Sequence, residues 1–283
     1  MNFRSHRWRK AKNLVMMALM VACVVVALVP LVSILGYVAV RGGSALNVAF
    51  LTQLPKPVGE VGGGMANAMV GTLILLGLAC CVSLPVGILA GVHLAEFGHG
   101  WFSSLVRFTT EVLTGIPSIT IGIFVYTVIV LPMRSFSAIA GGIALGIIMV
   151  PTVTRTTEEM LRLVPRSLRE GAWALGIPRW RAIISVVIPT AAGGIVTGIL
   201  LAIARVAGET APLLFTALGN RFWHSSLGQP IAALTLQVFA YSISPYDDWQ
   251  AQAWAGAFVL TTMVLILSVA VRVVVRGRNI TTR

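Results

Sequence analysis

The chain has 283 residues, 57% apolar and 11% charged, with a net charge of +12 and a mean hydropathy of +0.90. Soluble domains carry about a quarter charged residues, so one soluble core of this length is excluded and several membrane spans of roughly 20 apolar residues each are implied. A pI near 11.0 would suit nucleic-acid binding only with a basic face on a soluble fold; loop arginine placed by the positive-inside rule accounts for the excess, and no nucleic-acid partner is expected.

In chain order, residues 1–13 carry Arg4, Arg7, Arg9, Lys10 and Lys12 and read as a cytoplasmic tail. The uncharged run 14–40 exceeds the about 7–15 residues of a signal-peptide core, so it reads as a first, retained span that tolerates Pro30. Residues 41–64, with Pro55 and Pro57, are expected as a periplasmic loop, and 65–272 as a membrane core of five further spans near 65–95, 112–133, 135–154, 182–204 and 249–271. Pro117 is placed either to break the third span or only to kink it. Residues 206–248 lack the apolar density of a lipid-facing helix and are expected to be re-entrant or external, and 273–283 form a second cytoplasmic tail. This topology, an all-α membrane protein of six transmembrane helices with both ends inside, puts sixteen of the twenty-one basic residues on the cytoplasmic side. Cys23, Cys80 and Cys81 lie in apolar runs and read as buried free thiols, and the four histidines lack metal-ligand spacing. None of the three lysines follows a glycine, so a Walker A loop is excluded.

The segment 155–181 is the longest polar stretch between spans. Ser167 and Glu170 fit a capping box, and Leu168, Ala172 and Leu175 fall on one helical face. Gly176 suits a left-handed stop, followed by Pro178. So short an amphipathic helix is marginal alone and needs a partner surface. Glu170-Gly171-Ala172, then Gly176, then Val186, Ile188 and Pro189, resembles the EAA loop of ABC-importer permeases, with Gly171, Val186 and Ile188 as departures. The resemblance implies that Ser167, Leu168, Arg169, Glu170, Gly171, Ala172, Leu175 and Gly176 form a coupling helix seated in a cytoplasmic ATPase.

Arg205 lies sixteen residues beyond Pro189, about 24 Å along a helix and within a hydrocarbon core of about 30 Å. Glu209 is four residues on and is expected to share its face and pair with it. Ionisable groups at such depth default to function, and arginine's planar fork suits oxyanions, so a passing anion is expected to compete with Glu209 for Arg205. Arg155, at the end of the fourth span, is a secondary candidate for the inner side of the path. The stretch 204–217 (ARVAGETAPLLFTA), with 62–67 (GGGMAN), Pro117-Ser118-Ile119, 155–158 (RTTE) and Gln252, Trp254 and Gly256, resembles the phosphate-specific ABC permeases of the PstA type over roughly residues 60 to 275.

That resemblance implies a type I importer half in a bacterial inner membrane. It further implies a substrate path at Arg205, Glu209, Thr210 and Arg155, with inorganic phosphate as cargo. The implied partners are a homologous permease subunit (PstC type), two copies of a cytoplasmic ATPase (PstB type) that alone bind ATP and Mg, a periplasmic phosphate-binding protein (PstS type) and membrane lipids. No cofactor and no enzymatic chemistry are expected in this chain. Sulfate or molybdate remain alternative cargoes. A stand-alone channel or carrier would need paired broken helices in internal repeats, which are not visible. An intramembrane enzyme lacks a Ser/Lys, Ser/His or HExxH constellation.

Overall fold

The computed structural model describes residues 3–280, with side chains for residues 8–270 and Val273. The side chains of Arg4, Arg7, Arg272, Arg276, Arg278 and Arg283, which the charge argument uses, lie outside the described ones. The helices are α1 (Phe3–Ala45), α2 (Val48–Thr52), α3 (Ala66–Glu96), α4 (Trp101–Gly115), α5 (Ser118–Met133), α6 (Ala138–Arg162), α7 (Arg166–Ala174), α8 (Arg179–Ala207), α9 (Ala211–Thr216), α10 (Leu234–Ser242) and α11 (Asp247–Ile280). Among the described residues, five are long and apolar enough to cross a membrane, and α4 with α5 makes a sixth span if counted together. The third span, expected over 112–133, is broken at Pro117 and not merely kinked, because the chain bends by 104° between Gly115 and Ser118.

The centre is the pair α3 and α6. In lipid there is no hydrophobic drive between helices, so close packing must hold them. Here the packing is reciprocal. Gly142 and Gly146 on α6 receive Leu78 and Val82 of α3, while Gly87 and Gly91 on α3 receive Val153 and Thr157 of α6. Two Gly-x-x-x-Gly rows thus interlock in opposite directions. A Cβ on Gly91 would stand 2.6 Å from Thr157 Cβ and 2.7 Å from the Thr154 carbonyl. Gly91→Val is therefore expected to cost about 1–3 kcal/mol by overpacking. The check is a lower melting temperature of the detergent-solubilised protein; an unchanged value would refute the close fit.

Helix α8 crosses α6 in the same manner, with Gly194 against Met160 and Gly198 against Thr156. Its N-terminal part contains one wide π-helical stretch, Ile183–Val187. A second lies in α5 at Tyr126–Val130. Helix α6 starts at an N-cap formed by Ser137, whose side chain accepts from the Ala140 amide, and it ends at Arg162. The expected fourth span stopped at Thr154; the helix continues for two more turns and carries Arg155, Glu158, Glu159 and Arg162 into what was read as loop. A charged face does not end a helix when its residues pair along it, as Arg155 and Glu159 do at 3.1 Å.

The segment after α8 packs back onto the bundle. Ile231–Leu236 is buried, the Leu234 amide donates to Thr72 Oγ1 at 2.9 Å, and Gly71 admits the Ala232 carbonyl against α3. Helix α1 lies at the periphery. Its apolar side chains over 14–40 are largely exposed on the isolated chain, and it meets α11 near one end, where Tyr37 packs edge-on to Trp254 and Gly42 sits against Trp254 and Phe258. Cys23 and Cys81 are exposed on the chain and Cys80 is half-buried, so the expectation of three buried thiols is corrected: the apolar runs that hold them face outward.

Candidate functional site

The break between α4 and α5 builds the site. Pro117 has no amide hydrogen and biases Ile116 away from helical geometry, and Ile116 is extended with ψ 130°. Helix α5 starts afresh at Ser118, so the Ser118 and Ile119 amides have no intrahelical acceptor, while the Thr120 amide bonds the Pro117 carbonyl at 2.9 Å; this end is the positive end of a helix dipole. Within a membrane, such backbone is tolerated where it lines a cavity. A cavity of about 180 Å³ lies there. Leu113, Thr114, Ile116, Pro117, Ser118 and Ile121 line it from the break; Ile148, Pro151 and Thr152 line it from the middle of α6; Arg205 and Glu209 line it from the end of α8.

Arg205 and Glu209 do share this cavity, but not as the helical i,i+4 pair expected. Helix α8 ends at Ala207, and Gly208 caps it. Glu209 lies past the end, its amide bonded to the Val206 carbonyl at 3.1 Å and its own carbonyl accepting from Thr235 Oγ1 at 3.1 Å. Among the described residues, neither side chain is in an ion pair within 4.0 Å or makes a side-chain hydrogen bond. The glycine stop separates them. The outcome is a guanidinium and a carboxyl group, each without an ion-pair partner within 4.0 Å among the described residues, facing one space with a helix N-terminus. Thr210 is not among the lining residues; it flanks the start of α9 and its carbonyl accepts from the Leu213 amide at 3.1 Å.

Arg155 lies in an adjoining cavity of about 220 Å³, lined by Leu94, Arg107, Thr110, Glu111, Thr114, Arg155, Glu158, Glu159 and Arg162. Thr114 borders both spaces, so they adjoin along α4. The second space is laced by ion pairs. Arg107 and Arg162 meet Glu158 at 3.0 and 2.6 Å, and Arg155 meets Glu159. Three arginines face three glutamates, so the second space is formally neutral. Sequence reading missed Arg107, Glu111 and Thr114. Their signal was present: polar groups recur at i, i+4 and i+7 along α4, on the face that meets α6.

Helix α7 corrects the expected coupling segment in two respects. Its N-cap position is Pro165, and Ser167 sits inside the first turn without a side-chain cap bond, so the capping box does not form. Pro165 fixes the boundary earlier than serine could. Leu168, Ala172 and Leu175 keep their helical spacing but do not present together to the outside. Ala172 is buried, whereas Ser167, Leu168, Glu170, Gly171 and Leu175 are exposed. The outward apolar row is therefore Leu168, Gly171 and Leu175. Arg169 points inward, bonded to Glu96 at 2.8 Å. The stop at Gly176 is as expected. It has φ 78°, its amide bonds the Trp173 carbonyl at 2.9 Å, and the Ile177 amide bonds the Ala172 carbonyl at 3.2 Å, which is a Schellman closure.

Residues 83–279 match the family described as binding-protein-dependent transport system inner membrane component. The chain is 45% identical over 272 residues to a phosphate transport system permease protein PstA of Yersinia pestis, covering 96% of this chain and 92% of that one. It is 48% identical over 234 residues to the protein of the same name from Xylella fastidiosa, covering 82% and 81%. Its fold is similar to a chain of the MetNI methionine ABC transporter in an inward-facing conformation, at TM-score 0.60 and 19% identity, over 75% of this chain and 92% of that one.

Proposed function

The chain belongs to the inner membrane components of binding-protein-dependent transport systems, and among them to the PstA-type phosphate permeases; from this premise we propose that the two adjoining cavities are its half of a phosphate path. It is a multi-pass membrane subunit and not an enzyme. A homologous permease subunit supplies the other wall. A periplasmic phosphate-binding protein delivers the cargo, and a cytoplasmic ATPase dimer, which alone holds ATP and Mg, docks on α7. Both termini are cytoplasmic in a bacterial inner membrane. The observation that carries the reading is the convergence of Arg205, Glu209 and the N-terminus of α5 on one cavity facing the middle of α6.

The chemistry follows from hydrogen-bond polarity. Arg205 donates two parallel bonds to unprotonated phosphate oxygens, and the α5 amides favour the same charge. An ionised carboxylate only accepts. Phosphate near neutral pH keeps a P–OH that can donate to Glu209, whereas sulfate has none and meets an unpaired carboxylate. Glu209 thereby favours phosphate over sulfate. Arg155 and the neutral second cavity then hold the anion weakly on its way out.

The experiment is equilibrium binding of labelled phosphate and labelled sulfate to the solubilised permease–ATPase complex without the binding protein, in wild type and Glu209→Gln. Wild type is expected to favour phosphate at least tenfold, and the variant to bring the two anions together, since a charged hydrogen bond is worth about 1.5–3 kcal/mol. Equal binding in wild type would overturn the role of Glu209. Absence of phosphate uptake by the fully assembled wild type would overturn the cargo.

A further inference from the structure

Arg169 stands one residue before the glutamate of the docking segment, yet its side chain is only 14% exposed. Its Nε and Nη2 donate to Glu96 Oε1 at 3.2 and 2.8 Å. Its Nη2 also donates to the Leu161 carbonyl at 2.8 Å and its Nη1 to the Val164 carbonyl at 2.5 Å. Glu96 is the last residue of α3, and its side chain is 5% exposed. Leu161 and Val164 bracket the end of α6, where carbonyls lose their helical partners. One guanidinium on α7 therefore holds the ends of both central helices. Arg179, at the start of α8, donates to the Glu96 main-chain carbonyl and stands 4.6 Å over the Phe97 ring.

A buried ion pair is weak evidence for stability, because desolvating two charges offsets most of their attraction. Apolar contacts would hold α7 against the bundle as well. What the guanidinium adds is direction: its fork fixes α7 in angle and depth relative to α3 and α6 at once. Helix α6 carries Thr152 and Arg155 of the path, and α3 is interlocked with α6 through its glycine rows.

We propose that the buried Arg169–Glu96 pair is the positioning joint through which displacement of the docking helix α7 moves α3 and α6, and with them the walls of the path. Neither residue touches cargo or nucleotide; both act through the helices they join. The inference rests on the reading of α7 as the ATPase docking element, and failure of that reading would appear separately, as a wild-type permease that does not co-purify with the ATPase.

The test uses the purified four-component transporter in proteoliposomes, comparing wild type with Glu96→Gln and Arg169→Lys. The readout is phosphate transported per ATP hydrolysed, which loss of protein alone does not change. Glu96→Gln is expected to retain the ATPase and hydrolyse ATP within twofold of wild type, with the transport-to-hydrolysis ratio at least tenfold lower. Arg169→Lys keeps the charge but not the fork and is expected to fall between. A wild-type ratio in Glu96→Gln overturns the proposal. So does failure of Glu96→Gln to bind the ATPase, since the pair would then shape the docking surface and not transmit from it.

Discussion

Arg205→Gln is expected to reduce phosphate uptake by about 10²–10⁴-fold in the assembled transporter, from the loss of two charge-assisted hydrogen bonds of about 1.5–3 kcal/mol each. Arg205 is on the last turn of α8 with no ion-pair partner among the described residues, so its removal orphans no buried carboxylate by direct contact. The permease should therefore fold and bind the ATPase as before. Arg205→Lys keeps the charge but cannot make two parallel bonds, and about a tenfold reduction is expected. The check is the initial rate of labelled phosphate uptake, normalised to assembled complex. Normal uptake by Arg205→Gln would remove Arg205 from the path.

The second large effect lies on α7. Gly171 is exposed in helical backbone, and a Cβ there meets nothing within 4 Å. A bulky side chain therefore costs the isolated permease nothing in contact. It would, however, stand between Leu168 and Leu175 on the outward row and prevent a close approach from outside. Gly171→Trp is expected to lower ATPase co-purification at least tenfold, as loss of an interface anchor of about 2 kcal/mol does, with an unchanged melting temperature. Gly171→Ala should retain binding and strengthen the helix by about 1 kcal/mol. Full co-purification of Gly171→Trp would show that this row is not the docking face.

Much of the architecture was legible because it rests on signals that survive without tertiary context. Long uncharged runs gave the spans, Pro117 gave the break, and Gly176 gave the stop. The misreadings have a common physical source. Charge was taken to mark loop at Arg155–Arg162, but i,i+4 pairing lets a charged segment continue α6. Helical spacing was taken to pair Arg205 with Glu209, but Gly208 ends the helix between them. Arg169 was grouped with the docking residues by its place in the motif, whereas its partner Glu96 lies seventy-three positions earlier and only the fold joins them. The glycine rows at 87/91 and 142/146 were readable as spacing, but which side chains they admit was not.

The wide turn at Ile183–Val187 has a consequence far from where it sits. An α-helix advances about 100° per residue, so one additional residue accommodated in a turn changes the rotational phase of everything after it by that amount. Downstream on α8 are Gly194 and Gly198, which must face α6, and Arg205, which must face the break in the third span. All three share one azimuth set by those five residues. The aim of the guanidinium is thus fixed about five turns away, close to the docking end of the molecule, and any rewinding of that turn would rotate the charge and the helix contacts together.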